Sequence, residues 1–307
     1  MLVFRGFRHP PSSASVLTLG NFDGVHRGHL ALLERLREVA AAQGLPACLV
    51  TFEPHPREFF APAAAPARLT TLREKLEHFA AAGIERVYVA HFDAALAALD
   101  AAAFVERIVV AGLRARHVVI GDDFRFGAGR QGDFAFLAAQ GQRHGFTVEA
   151  LGSVVLAGER VSSSAVRQAL AAGNMEQAAL FLGRPYAIDG RVVHGRKLGR
   201  QLGFATANIY IKHNPLPMSG VFAVAVQGLA GGVRHGVANL GLRPTLGGSR
   251  PLLEVHLFDF QGDIYGAHLC VQFVHKLRDE MKFPDLFALQ AQIAQDVAAA
   301  RAFFRAE

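Results

Sequence analysis

Through its first 151 residues the chain alternates short, unbroken aliphatic runs with Ala/Leu-rich stretches of helical length. Few folds accept that pattern. Val16–Leu19, Ala47–Phe52, Arg86–Ala90, His117–Ile120 and Thr147–Leu151 read as strands. Between them Leu30–Gln43, Leu72–Ala82, Ala101–Ala111 and Asp133–His144 read as helices, the first two stopped by Gly44 and Gly83. Strands that are apolar at every position are buried on both faces, and helices between them supply the crossovers. The expectation is a parallel α/β sheet with helices on both faces.

After about residue 184 the texture changes. Ile188–Val193, Val221–Val226, Leu252–Phe258 and Leu269–Val274 are punctuated by glycines and prolines, as in a small antiparallel β-barrel. An amphipathic stretch, Phe287–Phe304, predicts a terminal helix. The boundary is expected near Gly183–Tyr186, which divides the chain into domains 1–184 and 185–307.

The 307 residues are 51% hydrophobic and 19% charged, enough to bury two cores and too apolar for disorder. Apolar runs such as Val118–Ile120 fall far short of the roughly 20 residues that cross a bilayer. The first residues, MLVFRGFRHPPSS, carry scattered arginines and no long apolar core, unlike a signal peptide, so a cytoplasmic location is expected. Cys48 and Cys270 each sit among aliphatic residues and read as core, not as a disulfide or metal framework. A net charge of +6 favours an anionic partner. The positive residues form no tract, so phosphorylated small molecules are expected and nucleic acid is not.

The chemistry concentrates at Gly20–His29, GNFDGVHRGH, between the first strand and the first helix. That switch lies at the carboxyl edge of a parallel sheet, where such folds bind ligands. Gly20, Gly24 and Gly28 allow close approach to a phosphate, and the helix N-terminus adds free N–H groups. His26 and His29 lie three apart and share a face, so both imidazoles can donate to phosphate oxygens. Neither a P-loop motif nor a Gly-x-Gly-x-x-Gly stretch after the first strand occurs.

Four more segments accompany this loop: Thr51–Pro56 (TFEPHP), Leu69–Phe79, Gly121–Asp133 and Val161–Leu170. In this order they resemble the FMN adenylyltransferase module of bacterial bifunctional FAD synthetases. The resemblance implies that Asn21, His26 and His29, with Gly20, Asp23 and Gly28, hold the ATP phosphates. It places Ser164 and Arg167 on the triphosphate, and His55, Asp123, Phe124 and Arg125 on the flavin. Read alone, His55 serves equally as a capping or packing residue. The family's Ile-Ser-Ser-Thr appears here as Val161–Ser164, which keeps the last hydroxyl.

The second half contains Gly190–Ile209, Gly236–Thr245, Leu253–Gly266 and Lys276–Phe283. The first of these alone reads either as a nucleotide loop or as a charged surface loop. Together they resemble the riboflavin kinase module of the same synthetases, a six-stranded barrel with a terminal helix. That resemblance implies ATP binding by Gly195, Arg196, Lys197, Gly203, Thr206 and Asn208, with Mg²⁺ held by Thr206 and Asn208. It implies Glu254 as general base, and flavin contacts from Arg278 and Glu280. A carboxylate at position 254 is otherwise an outward-facing solvated residue, which strand alternation does not exclude. Ala205 replaces the proline of the family's Pro-Thr-Ala-Asn, a loss worth about 0.4–1 kcal/mol of loop stiffness.

The activity expected is therefore twofold: riboflavin and ATP give FMN, then FMN and ATP give FAD and pyrophosphate. The competing readings are an adenylyltransferase whose barrel has decayed to a flavin-binding regulator, and a nucleic-acid-binding protein. Oligomeric state, a homo-oligomer included, is left open.

Overall fold

The computed structural model describes residues 1–195, 203–211, 215–245 and 248–306. Arg196 and Lys197 lie outside the described residues. Two compact units are present, Met1–Pro66 with Thr70–Ser162, and Ala67–Leu69 with Ser163–Glu307. The helices Ser163–Ala171 and Met175–Leu182 therefore group with the second unit.

The first unit is built on six strands: β1 (Leu2–Arg5), β2 (Ser15–Leu19), β3 (Ala47–Glu53), β4 (Arg86–His91), β5 (Ala115–Gly121) and β6 (Thr147–Leu151). All pair in parallel, in the order β1-β4-β3-β2-β5-β6. Two cores cover the two faces, one around Leu17, Val50, Tyr88, Phe104 and Ile120, the other around Val16, Leu33, Leu36, Phe79 and Val119. Helix α1 (Arg27–Gln43) buries Leu32, Leu33, Leu36, Val39 and Ala40 in the second core and ends at Gly44, whose φ of +63° suits glycine. Helix α3 (Leu72–Ala81) follows its own capping box, Thr71 with Glu74.

Strand β1 was not expected from the sequence. Its four residues are too few for a periodic signal, and they pair with β4 more than eighty residues away. The strand order reverses direction at β2, so the turn after β2 lies at the topological switch point of the sheet.

A two-stranded antiparallel ribbon, β7 (Val155–Leu156) and β8 (Glu159–Arg160), follows β6. The second unit contains a closed antiparallel barrel of β9 (Tyr186–Val193), β10 (Ala207–Tyr210), β11 (Gly220–Gln227), β12 (Arg234–Thr245), β13 (Gly248–Leu257) and β14 (His268–Arg278). Its order is β10-β13-β12-β11-β14-β9. Strand β12 was hidden by Gly236, Gly241 and Pro244, which read as loop residues. Gly236 is in fact a close approach: a side chain there would strike the His256 carbonyl of β13.

The terminal helix Leu286–Ala306 packs Val297, Ala300, Phe303 and Phe304 on the barrel around Val221, Val237 and Phe258. Arg278 holds it through a bidentate pair to Asp296, at 2.8 and 2.7 Å, with Gln292 donating to the same carboxylate. Asp296 is 5% exposed. Replacing it with Ala leaves the guanidinium without its carboxylate and is expected to lower stability by about 2–3 kcal/mol. Urea unfolding checks this; an unchanged midpoint would mean that apolar packing alone holds the helix.

Candidate functional site

In the first unit, the turn after β2 enters helix α1 through His26, the N-cap. His26 Nδ1 accepts the backbone N–H of His29 at 3.3 Å. In the neutral ring this puts the proton on Nε2, so His26 presents an N–H donor. The two imidazoles stack with centroids 3.6 Å apart and planes 16° from parallel. Two protonated rings at that distance would repel. Burial, then His26, then Lys75 hold the His29 pKa well below the ordinary imidazole value, so the ring is neutral at pH 7. Its Nδ1 is buried and has no hydrogen-bond partner among the described residues.

The loop is tightly wound. Phe22, Gly24 and Val25 all have positive φ, at +52°, +84° and +41°. Two of the three are not glycine, so tertiary contacts must hold them. Phe22 and Val25 are buried in the second core. The Asp23 carboxylate accepts both the N–H and the hydroxyl of Thr70, while Thr70 Oγ1 accepts the Gly24 N–H. Asp23 is 5% exposed, so its visible work is to latch the loop to the segment before α3. Gly28 faces the His26 ring, where a side chain would press on the imidazole, and Gly20 faces Phe22 in the same way.

The other expected residues have different surroundings. Asn21 is exposed at the mouth of the turn. His55 caps the short helix Pro56–Phe60, accepting the Arg57 N–H in a capping box with Glu58. Asp123 is exposed and pairs with Arg160 at 2.7 Å. Arg160 also reaches Asp122, which accepts the N–H and hydroxyl of Ser153. Phe124 stacks on Phe126 at 5.6 Å, and Arg125 donates to the Phe124 carbonyl. In the second unit, Ser164 is exposed on the first turn of Ser163–Ala171, while Arg167 Nε donates to the Ala67 carbonyl at 2.6 Å.

In the barrel, strand pairing brings distant residues together. Asn208 of β10 and Asn239 of β12 both lie opposite Glu254 of β13. Leu253 and Val255 are fully buried, and Glu254 alternates with them onto the other face, where it is half-buried between two amide neighbours. It is not simply a solvated carboxylate. Asn208 is 8% exposed; its amide packs against Gly195, where any side chain would overlap it, and donates to the Thr206 carbonyl. An amide oxygen opposite a carboxylate, as Asn208 is to Glu254, is the kind of hard-oxygen pair that suits Mg²⁺.

Ala205, which stands where the resemblance expects proline, has its carbonyl bound by His256 Nδ1 at 2.9 Å. The ring of Phe204 meets the same imidazole edge-on. These contacts steady the segment that presents Thr206 without the proline ring. Glu280 lies directly over Gly241, which admits it only because it lacks a side chain. The Arg278 guanidinium is already engaged by Asp296 and lies 5.8 Å from the Phe283 ring. Asn239, His256 and Lys75 carried no local sequence signal; only the pairing register and the tertiary packing bring them to these sites.

Fold and sites together have the form of a two-part nucleotide-using transferase, with a paired-histidine turn at the switch point of a parallel sheet and a carboxylate-bearing barrel in one chain. Comparisons give the family. The FAD synthetase family model matches residues 9–165 and the riboflavin kinase model residues 182–304. The chain is 48% identical over 307 residues to the bifunctional riboflavin kinase/FMN adenylyltransferase of Escherichia coli K12, covering 99% of this chain and 98% of that one. It is 51% identical over 305 residues to the Pseudomonas fluorescens protein of the same name, covering 98% and 97%. A solved structure of a macrolide-efflux protein from Streptococcus pneumoniae is similar over 98% of this chain and 99% of its own, at 28% identity and a TM-score of 0.82. The chain belongs to the family of bifunctional riboflavin kinase/FMN adenylyltransferases, with the adenylyltransferase domain first and the kinase domain second. Among the described residues no helix is long and apolar enough to cross a membrane.

Proposed function

We propose that residues 185–307 transfer the γ-phosphate of ATP to riboflavin and that residues 1–184 join the resulting FMN to AMP. The observation that carries the adenylyl half is the stacked histidine pair, with His29 held neutral, at the helix N-terminus of the switch-point loop. Donors fixed in place before the reaction stabilise charge developing on phosphate oxygens without reorganisation. In this reading an FMN phosphate oxygen attacks the α-phosphorus of ATP, the bond to the bridging oxygen breaks, and pyrophosphate leaves. His26 and His29 donate to the phosphates, Asn21 orients them, and Gly20 and Gly28 permit the approach. Asp23 acts from behind through Thr70. Ser164 and Arg167 belong on the triphosphate, and His55, Asp123, Phe124 and Arg125 around the flavin. Their present partners make His55 a cap and Asp123 one end of an ion pair.

In the kinase half Glu254 takes the proton of the ribityl 5′-hydroxyl as its oxygen attacks the γ-phosphorus and ADP leaves. Thr206 and Asn208 would hold Mg²⁺, which supplies charge neutralisation on the ATP phosphates when bound. Gly195, Arg196, Lys197 and Gly203 belong to the ATP loop, and Arg278 and Glu280 to the flavin side. We place the protein in the cytoplasm, acting on small molecules and not on nucleic acid. Chromatography of products from riboflavin, ATP and Mg²⁺ tests the whole scheme. Both FMN and FAD are expected; FMN alone would remove the adenylyl half, and no product would remove both.

A further inference from the structure

The mechanism above makes no use of Lys75. It lies on α3 with its side chain only 3% exposed, where an ammonium is unfavourable unless it is partnered. Its Nζ donates to the Asn21 carbonyl at 3.4 Å and stands 3.8 Å from Glu53 Oε2, at the end of β3. The same Asn21 carbonyl accepts Thr51 Oγ1 at 3.3 Å. One carbonyl thus takes two donors from two different elements, immediately before Phe22 enters a positive-φ conformation that side chains disfavour. Beyond this anchored peptide the Asn21 side chain is exposed.

We infer that Lys75 is a positioning residue of the adenylyl-transfer site. It is a buried cation that fixes the backbone presenting Asn21 to the phosphates and adds positive charge to the surroundings of His29. Three sequence segments meet at this one ammonium: the phosphate loop, the TFEPHP segment at the end of β3 and the helix α3. Its 97% burial keeps it from touching ATP itself, so it acts through Asn21 and His29. The groups facing His29 are His26 from its own loop and Lys75 from α3, with Glu53 paired to Lys75 and the Phe22 ring 5.1 Å away on the apolar side. The positive charge of Lys75 adds to burial and to His26 in disfavouring the imidazolium.

The inference rests on the adenylyltransferase reading of this loop. Its test uses the full chain with Lys75→Met and Lys75→Arg. The His29 imidazole is titrated by NMR without nucleotide, and FAD formation from FMN is followed across pH. Amide dispersion in the NMR spectra of the same samples reports folding of the first unit. Lys75→Met should raise the His29 midpoint and carry the acidic limb of FAD synthesis with it. It should lower kcat/KM for ATP by about tenfold or more. Lys75→Arg should leave the midpoint in place and recover part of the rate. An unmoved midpoint in Lys75→Met, or equal losses in both variants, would overturn the inference. If Lys75→Met loses that dispersion, Lys75→Gln carries the same test. A wild-type chain that makes no FAD overturns the functional reading instead, and the substrate-free titration still decides the role of Lys75.

Discussion

Glu254→Gln is expected to stop FMN formation from riboflavin, a loss of about 10²–10⁴-fold, while FAD formation from added FMN continues at the wild-type rate. The glutamine keeps the size and reach of the side chain while removing its negative charge and its ability to accept a proton. The neighbours argue that this is the one property that matters. Asn208 and Asn239 flank position 254 in register, and neither amide can serve as a base. Product chromatography separates the two half-reactions directly. An equal fall in FAD synthesis from FMN would mean that the barrel carboxylate serves both steps, against the assignment of separate sites.

His29→Ala is expected to lower FAD formation by about 10²–10³-fold, the usual loss when one preorganised donor is removed, and to leave riboflavin phosphorylation intact. The same substitution should flatten a pH dependence of stability. With its folded pKa depressed, His29 contributes stability that is fully present above the unfolded imidazole value near 6.5 and lost as pH falls through the folded value. Calorimetric melting of the wild type should therefore fall between pH 7 and pH 5 more steeply than that of His29→Ala. Parallel curves would show that the His29 ring is charged or solvated in the folded state.

Much of the first site was legible because it is contiguous. Strand end, glycines, two histidines and helix start follow one another along Gly20–His29, and local geometry then sets both imidazoles at one helix N-terminus. The fold class was legible for a related reason: unbroken apolar strands and alternating strands report burial on two faces or on one. Strands β1, β10 and β12 escaped because four-residue segments carry no period and because Gly236 and Gly241 resemble loop residues until the neighbours that require them are in place.

What the sequence by itself determined is the chemistry available at each site and the two kinds of sheet that carry it. Those follow from residue type and periodicity, which are local properties. The tertiary structure alone decided how the residues are held. Asp23 became a latch on Thr70, Arg278 an anchor for Asp296, and Lys75 a buried strut beneath Asn21, each across contacts between segments far apart in the chain. Register is likewise a property of pairs of strands. It set Glu254 between Asn208 and Asn239 where alternation along a single strand allowed open solvent.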